Sequence, residues 1–270
     1  MSERERFRPF TGDSSKRILL KDAPLSLVLC QIRWPELNHL QLDMKPRALE
    51  LGSKLGDYPI FQESQEVSYT ITPEGVQQGG GGAVFQWRSI DGSWNVSLGR
   101  RFISLYCTDY PGFSVFNERL TAILEHLEKS IGVPLIERVG VRYVNQIVDP
   151  RLIDQLGEYV RPDVLGYASL TPASPEVRLV SNANQALYSV EDVMLQVRTG
   201  MVPVGQAVDP AVQAATTESW VLDLDAFNGN TVPFNISDVL DTVGRLSDTA
   251  YDFFKLVVTD GFIREFGGTS

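Results

Sequence analysis

A chain of 270 residues, 43% hydrophobic and 21% charged, has enough apolar content for a full globular core, built as two small domains or as one fused pair. No apolar run reaches bilayer length, Met1 to Phe10 is charged and lacks an apolar leader core, and two cysteines are too few for a disulfide framework; a cytoplasmic protein with free thiols and no membrane contact is expected. From Asp149 onward 17 acidic residues face 7 basic ones, so this half holds the whole formal charge of −10, a field that excludes duplex DNA as an expected partner and suits either a solvated surface or a basic protein partner.

Residues 1–22 read as a flexible N-terminal arm. Arg4, Arg6, Arg8, Lys16, Arg17 and Lys21 alternate with acidic residues, Gly12, Ser14 and Ser15. Such a segment is a disordered extension, or it docks on a partner or on the acidic half of a second subunit; a homo-oligomer stays open.

The first unit, 23–134, opens with an apolar strand from Leu25 to Trp34 that Pro35 ends. Asp43 precedes a helix to about Leu55, with Pro46 in its first turn and Gly56 past its end. A strand follows from Phe61 to Thr72, and Gly79 to Gly82 reads as a flexible connector. That run lacks the Lys-Ser/Thr of a phosphate loop. Strands at Ala83–Ile90 and Ser93–Leu98 flank the hairpin signal Asp91-Gly92, and Phe102 to Cys107 makes another strand. Val115 to Ile131 reads as a helix with Phe116, Leu120, Ile123, Leu124, Leu127 and Ile131 on one stripe, closed by Gly132 and Pro134.

The second unit, 135–270, repeats this order. Ile136 to Val148 is a strand, and Asp149 and Pro150 start a short helix. Strands are expected near Glu176–Val180, Gln185–Ser189, Val193–Thr199 and Trp220–Phe227, with a loop from Pro203 to Thr217. Ser237 caps a long helix whose stripe is Val239, Leu240, Val243, Leu246, Ala250, Phe253, Phe254 and Val257. The expected fold is α+β, a tandem duplication of a β-α-β(4)-α unit with antiparallel sheets and long helices packed on one face.

The segment Val139-Gly140-Val141-Arg142-Tyr143-Val144-Asn145-Gln146-Ile147 resembles the central signature of a sporadically distributed bacterial family of unknown function. Pro24-Leu25, Cys30 to Trp34, Phe61-Gln62-Glu63 and the Phe253-Phe254 helix followed by Thr259 are similar to that family too. The resemblance implies no known catalytic residue, and with no cofactor motif in the sequence no cofactor is expected. The order of elements also resembles TATA-binding proteins and their helix-grip relatives, folds that host DNA saddles, lipid pockets and protein docks alike.

Arg142 and Asn145 lie on opposite faces of the central strand, and Tyr143 shares Asn145's face. These three are the candidate ligand- or partner-binding residues, set against a buried network in which Arg142 finds a carboxylate and Asn145 backbone partners. Asp223 and Asp225 form an Asp-x-Asp on one strand face, a weak candidate for a divalent ion or a half-exposed strand. His39, His126, Cys30 and Cys107 lack the spacing of a triad or a zinc site. The leading expectation is therefore a non-enzymatic interaction or accessory protein, antitoxin- or immunity-like, with a protein partner. The alternatives are a small-molecule pocket between sheet and helices, or a metal-dependent hydrolase or nuclease using Asp223 and Asp225.

Overall fold

The computed structural model describes residues 7–13, 17–41, 44–72, 75–174 and 176–268. Its elements are β1 (Leu25–Arg33), α1 (Asn38–Gln41), α2 (Lys45–Gly52), β2 (Ile60–Thr72), β3 (Gly75–Arg88), β4 (Trp94–Gly99), β5 (Phe102–Cys107) and α3 (Phe113–Ser130). There follow β6 (Leu135–Ile136), β7 (Arg138–Ile147), α4 (Pro150–Asp154), α5 (Leu156–Tyr159), α6 (Pro162–Leu165) and a 3-10 turn at Gly166–Ser169. The last are β8 (Asn184–Val190), β9 (Val193–Val202), β10 (Ser219–Asn228), β11 (Val232–Pro233), α7 (Ile236–Val257) and α8 (Asp260–Glu265). The fold is α+β, and its main sheet has nine strands in the order β2-β3-β4-β5-β1-β7-β10-β9-β8. The chain divides into two compact units. One comprises Met1–Val28, Gly140–Asn228 and Val243–Ser270, and the other Leu29–Val139 and Gly229–Thr242.

In the unit that holds α3, the β2 to β5 meander is antiparallel throughout. Gly79 to Gly82 is not a connector: β3 runs through it, with Gly79 and Gly80 opposite Ser68 and Val67. Glycine adopts extended backbone freely, and pairing with β2 supplies the order its missing side chain does not. Asp91-Gly92 does turn the chain, with Gly92 at φ 74°, inside a five-residue connection from Ser89 to Ser93. The Asp91 carboxylate holds that turn by accepting from the Ser93 amide at 3.0 Å and the Ser93 hydroxyl at 2.8 Å. Helix α3 buries Phe116, Leu120, Ile123, Leu124 and Leu127, the spacing that puts them on one face. Phe116 meets Trp94 of β4 at 5.8 Å between ring centroids. Gly132, at φ 67°, ends the helix by donating its amide to Leu127. Helix α2 begins at Lys45 with Pro46 in its first turn; its expected start at Asp43 lies outside the described residues.

In the unit that holds most of α7, β8, β9 and β10 form a second antiparallel meander. Asp149 caps α4 by accepting the Arg151 amide at 2.9 Å, with Pro150 as the first helical residue. The strand expected at Glu176–Val180 is absent: 176–182 is irregular, and Val177 and Val180 stand exposed rather than facing a sheet. On α7, Val239, Val243, Leu246, Ala250, Phe253 and Val257 are buried. The cap is Asn235, not Ser237, because the Asn235 side-chain Oδ1 accepts the Asp238 amide at 3.1 Å. The segment expected to be a flexible arm is, over 7–13 and 17–22, laid out against α7 and α8, and Asp22 donates its amide to Phe266.

Phe253, 4% exposed, touches the rings of both Phe10 and Tyr188. Phe253→Ala removes that packing and should cost ~3–5 kcal/mol in urea unfolding. A loss under about 1 kcal/mol would mean that the ring carries no core packing.

Candidate functional site

The apolar stripe of α7 leaves a second ridge beside it. Ser247, Tyr251 and Lys255 recur at i, i+4, and Asp248 and Asp252 do the same one residue on. This flank holds the N-terminal segment. Arg8 and Arg17 both reach Asp248 Oδ1 at 3.0 Å. Arg17 also donates to Ser247 Oγ at 2.9 Å, and that hydroxyl meets the Tyr143 hydroxyl at 2.5 Å. Both guanidinium carbons lie 5.2 Å from the centroid of the Tyr251 ring, within cation–π range. The Tyr251 hydroxyl accepts the Ile18 amide at 2.7 Å.

Asp252 is fully buried and takes its donors from the same segment. Its Oδ2 accepts the amides of Phe10 at 2.6 Å and Thr11 at 3.2 Å, and its Oδ1 accepts the Thr11 hydroxyl. Lys255 pairs with Asp13. Phe10 stands edge-on to Phe253 at 5.2 Å and to Tyr188 of β8 at 5.5 Å. Burial works against the ionised form of Asp248, but the hydrogen bonds and charges of Arg17 and Arg8 outweigh it and hold its pKa below the usual carboxylate value.

The opposite sheet face of this unit carries a second charged set. The antiparallel register places Asp223 opposite Arg198 and Asp225 opposite Gln196. Arg142 of β7 grips Asp223 through two bonds, Nε to Oδ1 at 2.8 Å and Nη2 to Oδ2 at 3.0 Å. Its Nη1 reaches Asp209 at 2.6 Å, and Arg198 adds a bond to Asp223 Oδ2 at 3.1 Å. Burial opposes the charge on Arg142, yet the bonds to Asp223 and Asp209 raise its pKa, so the guanidinium stays charged. Arg142 thereby pins the irregular 203–217 stretch to the sheet through Asp209.

Of the residues singled out in the sequence, then, Tyr143 reaches the α7 flank through Ser247, and Arg142 and Asp223 meet each other on the other face. Asn145 is buried and donates to the Leu222 carbonyl at 3.4 Å. Both oxygens of Asp223 are taken by guanidinium groups, and among the described residues no group of three or more His, Cys, Asp and Glu is arranged to hold a metal. His126 sits half-buried on α3, and the side chain of His39 lies outside the described residues. Burial pushes the Cys30 and Cys107 thiols up to about 12, far from nucleophilic use at neutral pH. No protein-family model matches the chain, and no curated protein matches it. Sequence reasoning missed Ser247, Asp248, Tyr251 and Asp252, although acidic residues four apart directly beside the apolar stripe of an amphipathic helix were a usable signal.

A further feature of this unit, and an exposed one, is β8. It is an outermost strand of the main sheet, and Gln185 to Ser189 are exposed on both faces of the strand. Tyr188 turns toward α7, while Leu187, 56% exposed, lies on the face of Gln196 and Asp225.

Members of the sheet-face set differ in what their loss costs. Asp223→Ala strands the half-buried Arg142 and should destabilise the chain on the order of 3 kcal/mol in urea unfolding, whereas Arg198→Ala, at a side chain 45% exposed, should cost under about 1 kcal/mol. Equal losses would refute the assignment of Arg142 as the principal partner. For Asp248, a folded pKa below the unfolded value means its contribution is complete above the unfolded value of about 3.9 and disappears as pH falls through the folded one. The Ile18 amide resonance should therefore hold its position from about pH 8 to about pH 5 and move only below about pH 4. A shift centred near pH 6 would contradict this.

Proposed function

We propose that the chain is a non-enzymatic protein-interaction module that takes an extended segment of a protein partner along the free side of β8. The observation that carries this is the edge itself. An outermost strand presents unpaired backbone N–H and C=O groups, and proteins ordinarily blunt such edges with charge, proline or a bulge. Asn184–Val190 contains no charged residue and no proline, and it pairs with β9 in unbroken register. A strand added there gains main-chain hydrogen bonds from the edge and side-chain recognition from Leu187 on one face and Tyr188 on the other. The excess of acidic residues after Asp149 favours a basic partner through faster, salt-sensitive association.

The duplicated architecture belongs to the same proposal. In each unit the opening strand lies beside the last strand of its meander, β1 beside β5 and β7 beside β10, and a long helix ends the series. That order supports a tandem β-α-β-α repeat of TATA-binding or helix-grip type, with one strand fewer in the second copy. Kinship with the sporadic bacterial family is proposed on the Val139 to Ile147 signature and the other matching segments alone.

Affinity capture from the native host, read by mass spectrometry, tests the docking edge. The tagged wild-type chain should retain a partner that Leu187→Lys with Ser189→Lys loses by at least about tenfold, since two lysines close an exposed edge without touching the core. Undiminished capture by the variant would move the docking site elsewhere.

A further inference from the structure

We propose that the α7 flank formed by Ser247, Asp248, Tyr251 and Asp252 is a peptide-binding site for basic segments carrying an arginine and, two residues on, an aromatic ring, and that the N-terminal segment occupies it as an intramolecular ligand. This rests on the reading of the chain as a protein-interaction module but concerns the α7 flank rather than the free backbone edge of β8, the two meeting at Tyr188.

The contacts have the form of peptide recognition. Asp252 captures two consecutive backbone amides, those of Phe10 and Thr11. Asp248 and the Tyr251 face read the arginine, and the rings of Tyr188 and Phe253 form the notch for Phe10. The segment is preshaped for the site. Pro9 restricts the backbone between Arg8 and Phe10, and Gly12, at φ 68°, closes a turn by donating its amide to the Arg8 carbonyl at 3.1 Å.

The occupant is also imperfect. The Arg8 side chain is only 3% exposed, yet its Nε and Nη2 have no hydrogen-bond partner among the described residues. A buried guanidinium with unsatisfied donors is held less well than the site allows. A partner segment that satisfies them has room to outcompete it. The site draws on the apolar stripe of α7 through Phe253, which a new aromatic ring must cover in place of Phe10; Val239, Val243, Leu246, Ala250 and Val257 are buried apart from the gripping residues, so the rest of the helix keeps its packing when the flank changes occupant. What the native segment has in its favour is its tether. A short linker gives an effective concentration on the order of millimolar, which a ligand in trans must exceed or out-bind. The site is thus self-occupied at rest and open to a basic partner of higher affinity.

A fluorescent peptide spanning residues 7–18 tests this by anisotropy against the full chain. Arg8→Ala with Phe10→Ala weakens the tethered occupant, and this variant should bind the peptide at least about tenfold more tightly than the wild type. Arg17→Ala, a milder lesion, should move affinity in the same direction by less. Adding Asp248→Asn and Asp252→Asn to the weakened chain should remove at least about tenfold of the affinity, and a peptide with its own arginine at position 8 replaced by alanine should fail to bind. Leu187→Lys with Ser189→Lys should leave peptide binding unchanged, so the two surfaces fail or stand separately. Equal affinity for wild type and weakened chain, or affinity indifferent to the two asparagine changes, overturns the proposal. So does a weakened chain that no longer folds, because the segment is then an integral part of the core. A wild-type dimer abolished by Asp248→Asn with Asp252→Asn would make a second copy's segment the occupant and overturn the assignment to a partner.

Discussion

A carboxylate with no exposure to water governs how the α7 unit is put together. Asp252 lies on the polar ridge of α7 next to the apolar stripe, and the donors that satisfy it come from Phe10 and Thr11, more than 240 residues earlier in the chain. Burying an unpaired carboxylate costs several kcal/mol, whereas each charge-assisted hydrogen bond returns roughly 1.5–3 kcal/mol. The balance is favourable only while the N-terminal segment is in place or water replaces it. Docking of that segment and the environment of α7 are therefore one equilibrium. The chain of contacts from Tyr143 through Ser247 and Arg17 to Asp248 extends the same dependence to the central strand β7.

The unit contains two arginine–carboxylate sets with opposite characters. Arg142 and Asp223 meet on neighbouring strands, each nitrogen of the guanidinium has an acceptor, and Asp209 completes the set. Sheet geometry fixes their distance, so the pair has little to gain by exchanging partners. Arg8 and Arg17 share one oxygen of Asp248, come from outside the sheet, and leave donors on Arg8 unused. The same chemistry thus serves as a fixed strut on the sheet face and as a reversible contact on the helix flank. Geometry, rather than charge count, separates the two.

Local signals in the sequence were legible where a single element decides the outcome. The α3 stripe, the Asp149 cap, the Gly132 terminator and the large α+β sheet follow from spacing and capping chemistry alone. Where a remote partner decides, the same residues mislead. Gly79 to Gly82 reads as a connector until β2 pairs with it, and Val177 to Val180 reads as a strand although no neighbour claims it. Ser237 has cap chemistry, but Asn235 is the residue positioned to use it. The Arg142 carboxylate partner was expected as a type; its identity as Asp223 and Asp209 depends on register and on a loop without periodicity. The α7 flank was hidden for the same reason, because its ligand lies at the far end of the chain.

The acidic excess after Asp149 takes on a different meaning once its members are placed. Asp209 and Asp223 are neutralised by Arg198 from the same half and by Arg142 from the strand just before it, so they add little to the outward field. Asp248 and Asp252 are covered by a segment from the neutral half, and Arg8 and Arg17 bring the compensating charge. The field that a basic partner meets at this flank is consequently small while the segment is docked and grows when it leaves. Screening over about 8 Å at physiological ionic strength confines this change to the flank and its immediate surroundings, which include Tyr188 on the β8 edge. The N-terminal segment thus sets both the shape and the charge of the surface beside the open strand, and its occupancy decides which of the two a basic partner encounters first.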